Sequence, residues 1–362
     1  MAGLVAAARL RELGIEARVL EKGDRPGGSM LLSSGFVWRH RTLDSFRDEC
    51  PGGDRALQTA IVEQLDERLD WLEGLGLEAL ERDTGNPSTT GRRFDARSLT
   101  DLLARRAGDV RLRVPLTALD DGSVILATGG FAGLLARRLG VPLRANPWSE
   151  GDGLRLSRER GADMSSGLDE FYGRALPASP AVVEERDFVR ASQLYGRFAH
   201  VVDDGGSTFF ESEPSWSEND LVQAIARRPG GVAWYVLDAG TPKQRVRERT
   251  VADMVVVAEE LGGEVRRAAT LAGLGLGTIE SSKLRTPPFT AVKVTASVTH
   301  TIGGLRVYRA ARVLDAGRNP LGGLYAAGVD AGGVATGGYA SGLAAALVLG
   351  CAAAEAAAAE SV

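Results

Sequence analysis

Residues 1–29, MAGLVAAARLRELGIEARVLEKGDRPGGS, decide the fold class. The segment from Leu4 to Leu13 is rich in helix-forming residues and is stopped by a glycine, and the apolar run after it ends in Glu21. A helix followed by a strand with an acid at its carboxyl end is the second half of a βαβ nucleotide-binding unit. In such units the acid follows the glycine turn by roughly 20 residues and accepts hydrogen bonds from a ribose. Glu21 stands at that distance from Gly3, so this stretch predicts the second half of a dinucleotide-binding unit.

The composition excludes several classes of protein. A chain of 362 residues is long enough for two domains, or for one domain with a large insertion. It has 43 basic and 47 acidic residues and no basic block, so we expect no nucleic-acid partner. Cys50 and Cys351 are far apart and form no CxxC pair, so neither a disulfide framework nor a metal site is predicted. With no export signal at the start, we expect a cytoplasmic protein.

Glycine is the most informative residue type. There are 46 glycines against 6% aromatic residues, and many fall in the clusters PGGS, ATGGF, TIGGL and AGGVATGGYASG. Clustered glycine marks backbone that turns tightly or lies close to a ligand, and a large cofactor is one such ligand. Ordinary loop glycine in an Ala- and Gly-rich sequence would explain the number, but not why each cluster follows an apolar run.

The order of elements predicts an α/β fold with an insertion. Helical patterns cover residues 55–81 and the stretches LTDLLARRAG, FAGLLARRLG and GDGLRLSRERGA, whereas VRLRVPLTAL, SVILATGG and GLYAAG are typical of strands. Residues 170–299 lose this alternation and gain aromatic residues and proline, which indicates an inserted domain. ERDTGNPSTTGRR is predicted to be a solvated loop. GLAAALVLGCAAAEAAAA carries one charge, but its alanine and glycine content favours a buried core helix over a membrane span.

Six separated motifs carry a family resemblance. VLEKGDRPGGS, SSGF, SVILATGGF, SEGDGLRL, FTAVKVTASVTHTIGGL and GLYAAGVDAGGVATGGY resemble, in this order, the FAD-binding motifs of the fumarate reductase and succinate dehydrogenase flavoprotein family. Relatives of that family include tricarballylate and 3-ketosteroid dehydrogenases. The resemblance implies a Rossmann-like FAD-binding domain made of residues 1–169 and 300–362. It also implies an inserted α+β cap domain at 170–299, with the substrate held between the cap and the flavin ring.

The resemblance also implies which residues bind FAD. Glu21 would bind the adenosine ribose, and Asp330 stands where relatives usually have Glu. The helix beginning near Ser341 would point its positive end at the flavin edge that becomes negative when hydride arrives at N5. The residues that correspond to cofactor contacts are Gly3, Glu21, Lys22, Gly28, Ser29, Ser34, Gly35, Thr128, Gly129, Asp152, Asp330, Ser341 and Leu343.

Two departures from the family concern the FAD site itself. Of the GxGxxG turn, whose amides meet the pyrophosphate, only Ala2 and Gly3 remain. A small β-meander that family members carry before ATGGF is reduced to LTALDDGS. An alternative is therefore a truncated or degenerate member that keeps the fold but binds FAD weakly or not at all.

On the substrate side the resemblance nominates four residues. THTIGG matches a motif whose histidine binds a substrate carboxylate, which selects His300. Tyr339 stands where fumarate reductases have Arg, and ESEPSWSENDLVQAI lacks their proton-donating Arg, so fumarate reduction is disfavoured. A tyrosine here is similar to the ketosteroid enzymes, where it polarises a ketone. Tyr172 and Arg174 are candidates to face the substrate, and for each of the four residues a structural role is the alternative.

These observations predict an FAD-dependent oxidoreductase. It would be a dehydrogenase or reductase that acts on a C–C bond next to a carbonyl or carboxylate by hydride transfer at flavin N5. A 3-ketosteroid dehydrogenase-like enzyme is a further alternative. The expected partners are a small-molecule substrate and an unidentified electron donor or acceptor, without nucleic acid or membrane.

Overall fold

A computed structural model describes residues 1–120 and 122–360. The chain forms two compact units. The first unit comprises residues 1–134, 145–171 and 300–362, and the second comprises residues 135–144 and 172–299. Residues 135–144, which the sequence analysis placed in the first domain, group with the second unit because Val141 packs under Gly231 and the Pro142 carbonyl accepts a hydrogen bond from Val298.

The described elements follow in chain order. The α-helices are α1 Ala2–Glu12, α2 Leu43–Glu49, α3 Arg55–Gly74, α4 Ala96–Ala107, α5 Ala132–Leu139, α6 Asp152–Glu159, α7 Asn219–Ala226, α8 Val251–Glu260 and α9 Gly342–Glu360. The strands are β1 Val19–Glu21, β2 Phe36–His40, β3 Thr89–Arg93, β4 Val110–Leu112, β5 Val124–Leu126, β6 Phe171–Pro177, β7 His200–Val202, β8 Val232–Leu237, β9 Arg245–Val246, β10 Arg249–Thr250, β11 Val265–Ala268, β12 Phe289–Thr301, β13 Arg312–Leu314 and β14 Pro320–Ala326.

The parallel sheet of the first unit is divided in two. Strand β1 pairs in parallel with β4, and β5 pairs in parallel with β14, but β1 and β5 do not pair with each other. Helix α1 contacts both of these edge strands. In a doubly wound fold the strand that leads into the first helix lies between these two neighbours. The division falls where that strand belongs, and the side chain of Leu20 in β1 is 42% exposed.

Helix α9 forms the centre of the first unit. Its residues from Ala344 to Leu349 are buried, and Gly350 lets the helix approach α1, since a Cβ there would lie 2.9 Å from the Ala2 carbonyl. Among the described residues it is the single helix long and apolar enough to cross a membrane, and 67% of its apolar window is buried inside the protein. This is the burial expected of the core helix that the sequence predicts.

The second unit is built on an antiparallel sheet. Strands β11, β12, β8 and β7 pair in that order, and β6 also pairs with β12. Trp234 and Val236 are fully buried in the cluster that covers one part of the sheet. Helices and antiparallel strands together give this unit an α+β composition. The predicted α/β class with a Rossmann-like first unit is confirmed.

One predicted loop is a strand. ERDTGNPSTTGRR contains β3, which pairs along its whole length with β2. The prediction was wrong because the strand has no apolar alternation. Its fit depends on Gly91, where a Cβ would lie 2.3 Å from the Val37 carbonyl oxygen. Helix α3 also ends at Gly74 and does not continue to residue 81.

Candidate functional site

The start of α1 keeps one feature of a glycine turn. A Cβ at Gly3 would lie 3.2 Å from the Cβ of Ala127, just after β5. The last glycine of a GxGxxG turn serves such close contact between helix and strand. Gly3 therefore retains the packing role of that position.

Glu21 and Lys22 begin the turn after β1. The Glu21 carboxylate accepts a hydrogen bond from the backbone N–H of Gly23 at 2.7 Å, which orders the turn around it. Lys22 Nζ lies 2.8 Å from Asp152 Oδ2 and 3.2 Å from Glu150 Oε2. The hydrogen bond that Lys22 donates to the Asp152 carboxylate raises the pKa of Lys22. The two residues were predicted separately as cofactor contacts, and in the structure they contact each other. Their roles in cofactor binding stay predictions.

The PGGS turn is held by a neighbouring loop. Gly28 has a φ of 53°, and Ser29 Oγ accepts hydrogen bonds from the backbone N–H and the side-chain amide of Asn146 at 3.1 and 2.9 Å. Gly35 has a φ of 75°, and a Cβ there would lie 1.9 Å from the Phe94 carbonyl oxygen. Only glycine fits at this position. Ser34, next to it, is exposed.

Asp330 connects the two glycine clusters that follow β5 and β14. Its buried carboxylate accepts hydrogen bonds from the backbone N–H of Thr128, from Thr128 Oγ1 at 3.0 Å and from the Gly130 N–H at 2.9 Å. Burial raises the pKa of Asp330, and these bonds oppose the rise. The side chain is therefore used inside the protein as a brace for the turn that contains Gly129. Its predicted direct contact with the cofactor has no such support.

His300 lies at the N-terminus of α9. A Cβ at Gly342 would lie 3.2 Å from His300 Cε1, and Ser341 Oγ caps the helix by accepting the Ala344 N–H at 3.3 Å. Leu343 is half-buried against the core. Burial lowers the pKa of His300 to about 4, so the imidazole is neutral at physiological pH. A neutral ring at the positive end of a helix can donate one hydrogen bond to a ligand oxygen.

Tyr339 lies just before α9 and rests on β2. Its ring contacts the ring of Trp38 edge-on, with centroids 5.4 Å apart. Its carbonyl oxygen lies 3.4 Å from Nε2 of His40, a buried residue that sequence reasoning did not single out. Tyr339 is itself half-buried. Tyr339, Ser341 and His300 therefore all lie around the first turn of α9.

Tyr172 and Arg174 lie together in the second unit. The Arg174 guanidinium lies 5.0 Å above the Tyr172 ring and donates a hydrogen bond to the Ser217 carbonyl. The Gly173 N–H between them donates to the Asn219 side chain at 3.1 Å. These contacts are internal to the unit, so a substrate role for the pair stays a prediction.

The sequence matches the FAD binding domain family over residues 113–344. The chain belongs to this family. Residues 1–34 also match the NAD(P)-binding Rossmann-like domain. The family assignment confirms the predicted FAD cofactor and the predicted class of oxidoreductase acting on CH–CH groups.

Curated relatives of this FAD-binding chain include two fumarate-converting proteins. One is a probable fumarate reductase, Ifc3, of Shewanella frigidimarina (strain NCIMB 400), 26% identical over 406 residues, covering 90% of this chain and 68% of the relative. The other is the NADH:fumarate oxidoreductase of Klebsiella pneumoniae (strain 342), 25% identical over 57% of this chain and 24% of the relative.

Solved structures share the fold over nearly the full chain. The open conformation of a flavocytochrome c3 fumarate reductase matches with a TM-score of 0.74 at 22% identity, covering 100% of this chain and 77% of that one. The 3-ketosteroid-Δ4-(5α)-dehydrogenase of Rhodococcus jostii RHA1 matches with a TM-score of 0.73 at 19% identity, covering 99% and 94%. At these identities the likeness shows the fold.

The described residues of the first unit fit FAD. The backbone after β5 takes left-handed conformations at Gly129 and Gly130, with φ of 87° and 70°, and glycine is required there because a Cβ would lie 2.7 Å from Ser149 Oγ or 2.5 Å from Thr301 Oγ1. Glu21 ends β1 with a carboxylate, as a ribose-binding strand does. The N-terminus of α9 with neutral His300 suits a flavin edge that gains negative charge. Of the GxGxxG turn, Ala2 and Gly3 are present.

Proposed function

We propose that this FAD-dependent oxidoreductase binds its substrate through a carbonyl or carboxylate oxygen that His300 and Tyr339 contact. The observation that carries the proposal is their common location. The His300 ring contacts Gly342, and Tyr339 lies three residues before Gly342, in the segment that leads into α9. Burial keeps the pKa of His300 at about 4, so its imidazole is a neutral donor at physiological pH, and the Tyr339 phenol carries an O–H donor.

FAD, when bound, supplies or accepts the hydride at N5. The chain's own residues bind and polarise the substrate. The His300 N–H and the Tyr339 O–H would each donate a hydrogen bond to the oxygen that activates the C–C bond, and the first turn of α9 stabilises negative charge. We propose that Glu21, Gly28, Ser29, Gly35, Thr128 and Gly129 hold the cofactor, with Ser34, Ser341, Leu343 and the Lys22–Asp152 pair at its edges.

The remaining assignments concern the other unit and the surroundings of the protein. Tyr172 and Arg174 are proposed to face the substrate, within a cap domain that corresponds to residues 170–299. The electron donor or acceptor is unassigned. A reducing, cytoplasmic location is supported by the two free and buried cysteines, Cys50 and Cys351.

The divided sheet favours a second candidate function. Because β1 and β5 do not pair and no GxGxxG turn follows a strand between them, the chain as given would hold FAD more weakly than a family member with that strand. In this alternative the fold is kept and FAD is bound weakly or not at all.

Flavin titration separates the two candidates. Purified protein would be titrated with FAD, with the quenching of flavin fluorescence and the visible spectrum as readouts. Saturable binding of one FAD per chain, followed by bleaching of the flavin band on addition of a carbonyl or carboxylate substrate, is the expected result. Protein that binds no FAD at any concentration tested would support the degenerate alternative.

A further inference from the structure

The segment that carries Tyr339 is fixed by backbone bonds. We call residues 333–339 the Tyr339 loop. The Gly333 carbonyl accepts a hydrogen bond from the Asp54 N–H at 2.7 Å, and the Thr336 carbonyl accepts one from the Gly52 N–H at 3.1 Å. Both donors lie in the turn between α2 and α3. These two bonds anchor the first residue and the middle of the Tyr339 loop. Tyr339, its last residue, is held by other contacts.

His40 supplies one contact at the Tyr339 end of the loop. Its side chain is 2% exposed at the end of β2, and Nε2 lies 3.4 Å from the Tyr339 carbonyl oxygen. The imidazole packs against Phe46 with ring centroids 4.8 Å apart, and against Trp38 at 5.4 Å. Since Trp38 also contacts the Tyr339 ring, two residues on one face of β2 hold both the backbone and the ring of Tyr339.

The chemistry of the contact fixes the tautomer. A carbonyl oxygen only accepts, so Nε2 must carry the proton. Nδ1 is buried and has no hydrogen-bond partner among the described residues. Burial lowers the pKa of His40, which keeps the ring neutral with a single N–H. An apolar side chain of similar size would fill this aromatic site without leaving a nitrogen unpaired. What histidine adds here is the N–H directed at Tyr339.

We propose that His40 is a positioning residue that orients Tyr339 by donating its Nε2–H to the Tyr339 carbonyl. The consequence for turnover rests on the proposed role of Tyr339. The effect of His40 on the Tyr339 loop is independent of that role, because the bond is made to the backbone carbonyl of Tyr339. His40 thus acts through Tyr339.

The test compares three histidine variants of the full chain. His40→Leu keeps the volume and removes the donor, whereas His40→Gln keeps an N–H donor at a similar reach. His200→Leu is the matched control, since His200 lies in the second unit with its Nε2 3.2 Å from Thr208 Oγ1. Amide hydrogen exchange of the Tyr339 loop should be faster in His40→Leu and close to the parent in the other two. Unchanged exchange in His40→Leu would overturn the proposal.

A double-mutant cycle with Tyr339→Phe measures the consequence for turnover. In FAD-loaded protein, His40→Leu should lower kcat by roughly 10- to 100-fold with little change in KM, and His40→Gln should recover most of it. In the Tyr339→Phe background, His40→Leu should add little. An equal loss in both backgrounds would mean general structural damage and overturn the proposal. Faster exchange together with full turnover of Tyr339→Phe would instead refute the role of Tyr339 and leave the positioning intact.

Discussion

The imidazole ring of His300 lies against Gly342, the first residue of α9, so closely that a Cβ there would be 3.2 Å from Cε1. A side chain introduced at position 342 would therefore force the imidazole ring to shift by a few tenths of an ångström. The helix start therefore fixes the position of His300, and the absence of a side chain at Gly342 is part of the site.

Gly342→Ala should move His300 without unfolding the protein. Alanine is favoured over glycine in helices by up to about 1 kcal/mol, so the thermal midpoint should stay the same or rise. The displaced imidazole should lower kcat/KM by on the order of 10-fold. Gly74→Ala is the control, because a Cβ at Gly74 would meet nothing within 4 Å. Full activity of Gly342→Ala would show that the His300 position is not critical.

His300 should make stability fall in acid. Its pKa lies at about 4 when folded, below its ordinary value of 6.5, so the unfolded chain binds the proton first. The free energy of unfolding should therefore decrease as the pH falls from 6.5 to 4, by about 3 kcal/mol from this residue. Urea unfolding of the parent and of His300→Gln at several pH values checks this. The variant should lose this part of the pH dependence of stability, and an identical pH dependence in both proteins would contradict the lowered pKa of His300.

Asp330→Ala should destabilise the first unit and weaken FAD binding together. The substitution leaves the buried N–H groups of Thr128 and Gly130 without an acceptor, at roughly 1 to 3 kcal/mol each. Asp330→Asn keeps one acceptor oxygen and should lose less. Urea unfolding and FAD titration of the two variants are the measurements. If FAD affinity falls strongly in Asp330→Asn while stability is retained, Asp330 contacts the cofactor directly, as first predicted.

Completing the divided sheet should raise FAD affinity. An added apolar strand ending in GxGxxG, joined to α1, would occupy the position between β1 and β5 and direct several N–H groups at the pyrophosphate. A control extension with its glycines replaced by valine keeps the strand without the turn. FAD affinity should rise only with the first extension, whereas both should protect β1 amides from exchange. Equal affinity with and without the glycine extension would contradict the account of the division.

The sequence predicted those features that have a local signal. Helix α9 is apolar on all sides and β5 is a continuous apolar run, and both formed where expected. Strand β3 could not be predicted, because its pairing depends on backbone approach at Gly91 and not on an apolar pattern.

The sequence indicated which residues are candidates for the site, but not which side chains contact each other there. His300 and Tyr339 stand in recognisable motifs. The contact of His40 with Tyr339 could not be predicted, because the two residues are 299 positions apart and His40 lies in no recognised motif. The cofactor role of Asp330 stays a prediction. Its contact with Thr128, 202 positions away, could not be predicted, because it depends on backbone N–H groups of a distant turn that need an acceptor.

The most direct test of the central claim is the rate of flavin reduction in FAD-loaded parent, Tyr339→Phe and His300→Ala proteins. Each would be mixed with a panel of ketone and carboxylate substrates, and an artificial electron acceptor would report turnover. We predict that Tyr339→Phe, which removes only a hydroxyl, slows the parent rate on its best substrate by roughly 100-fold. His300→Ala should also weaken substrate binding. A parent enzyme that turns over a substrate while both variants retain its full rate would place the active site elsewhere.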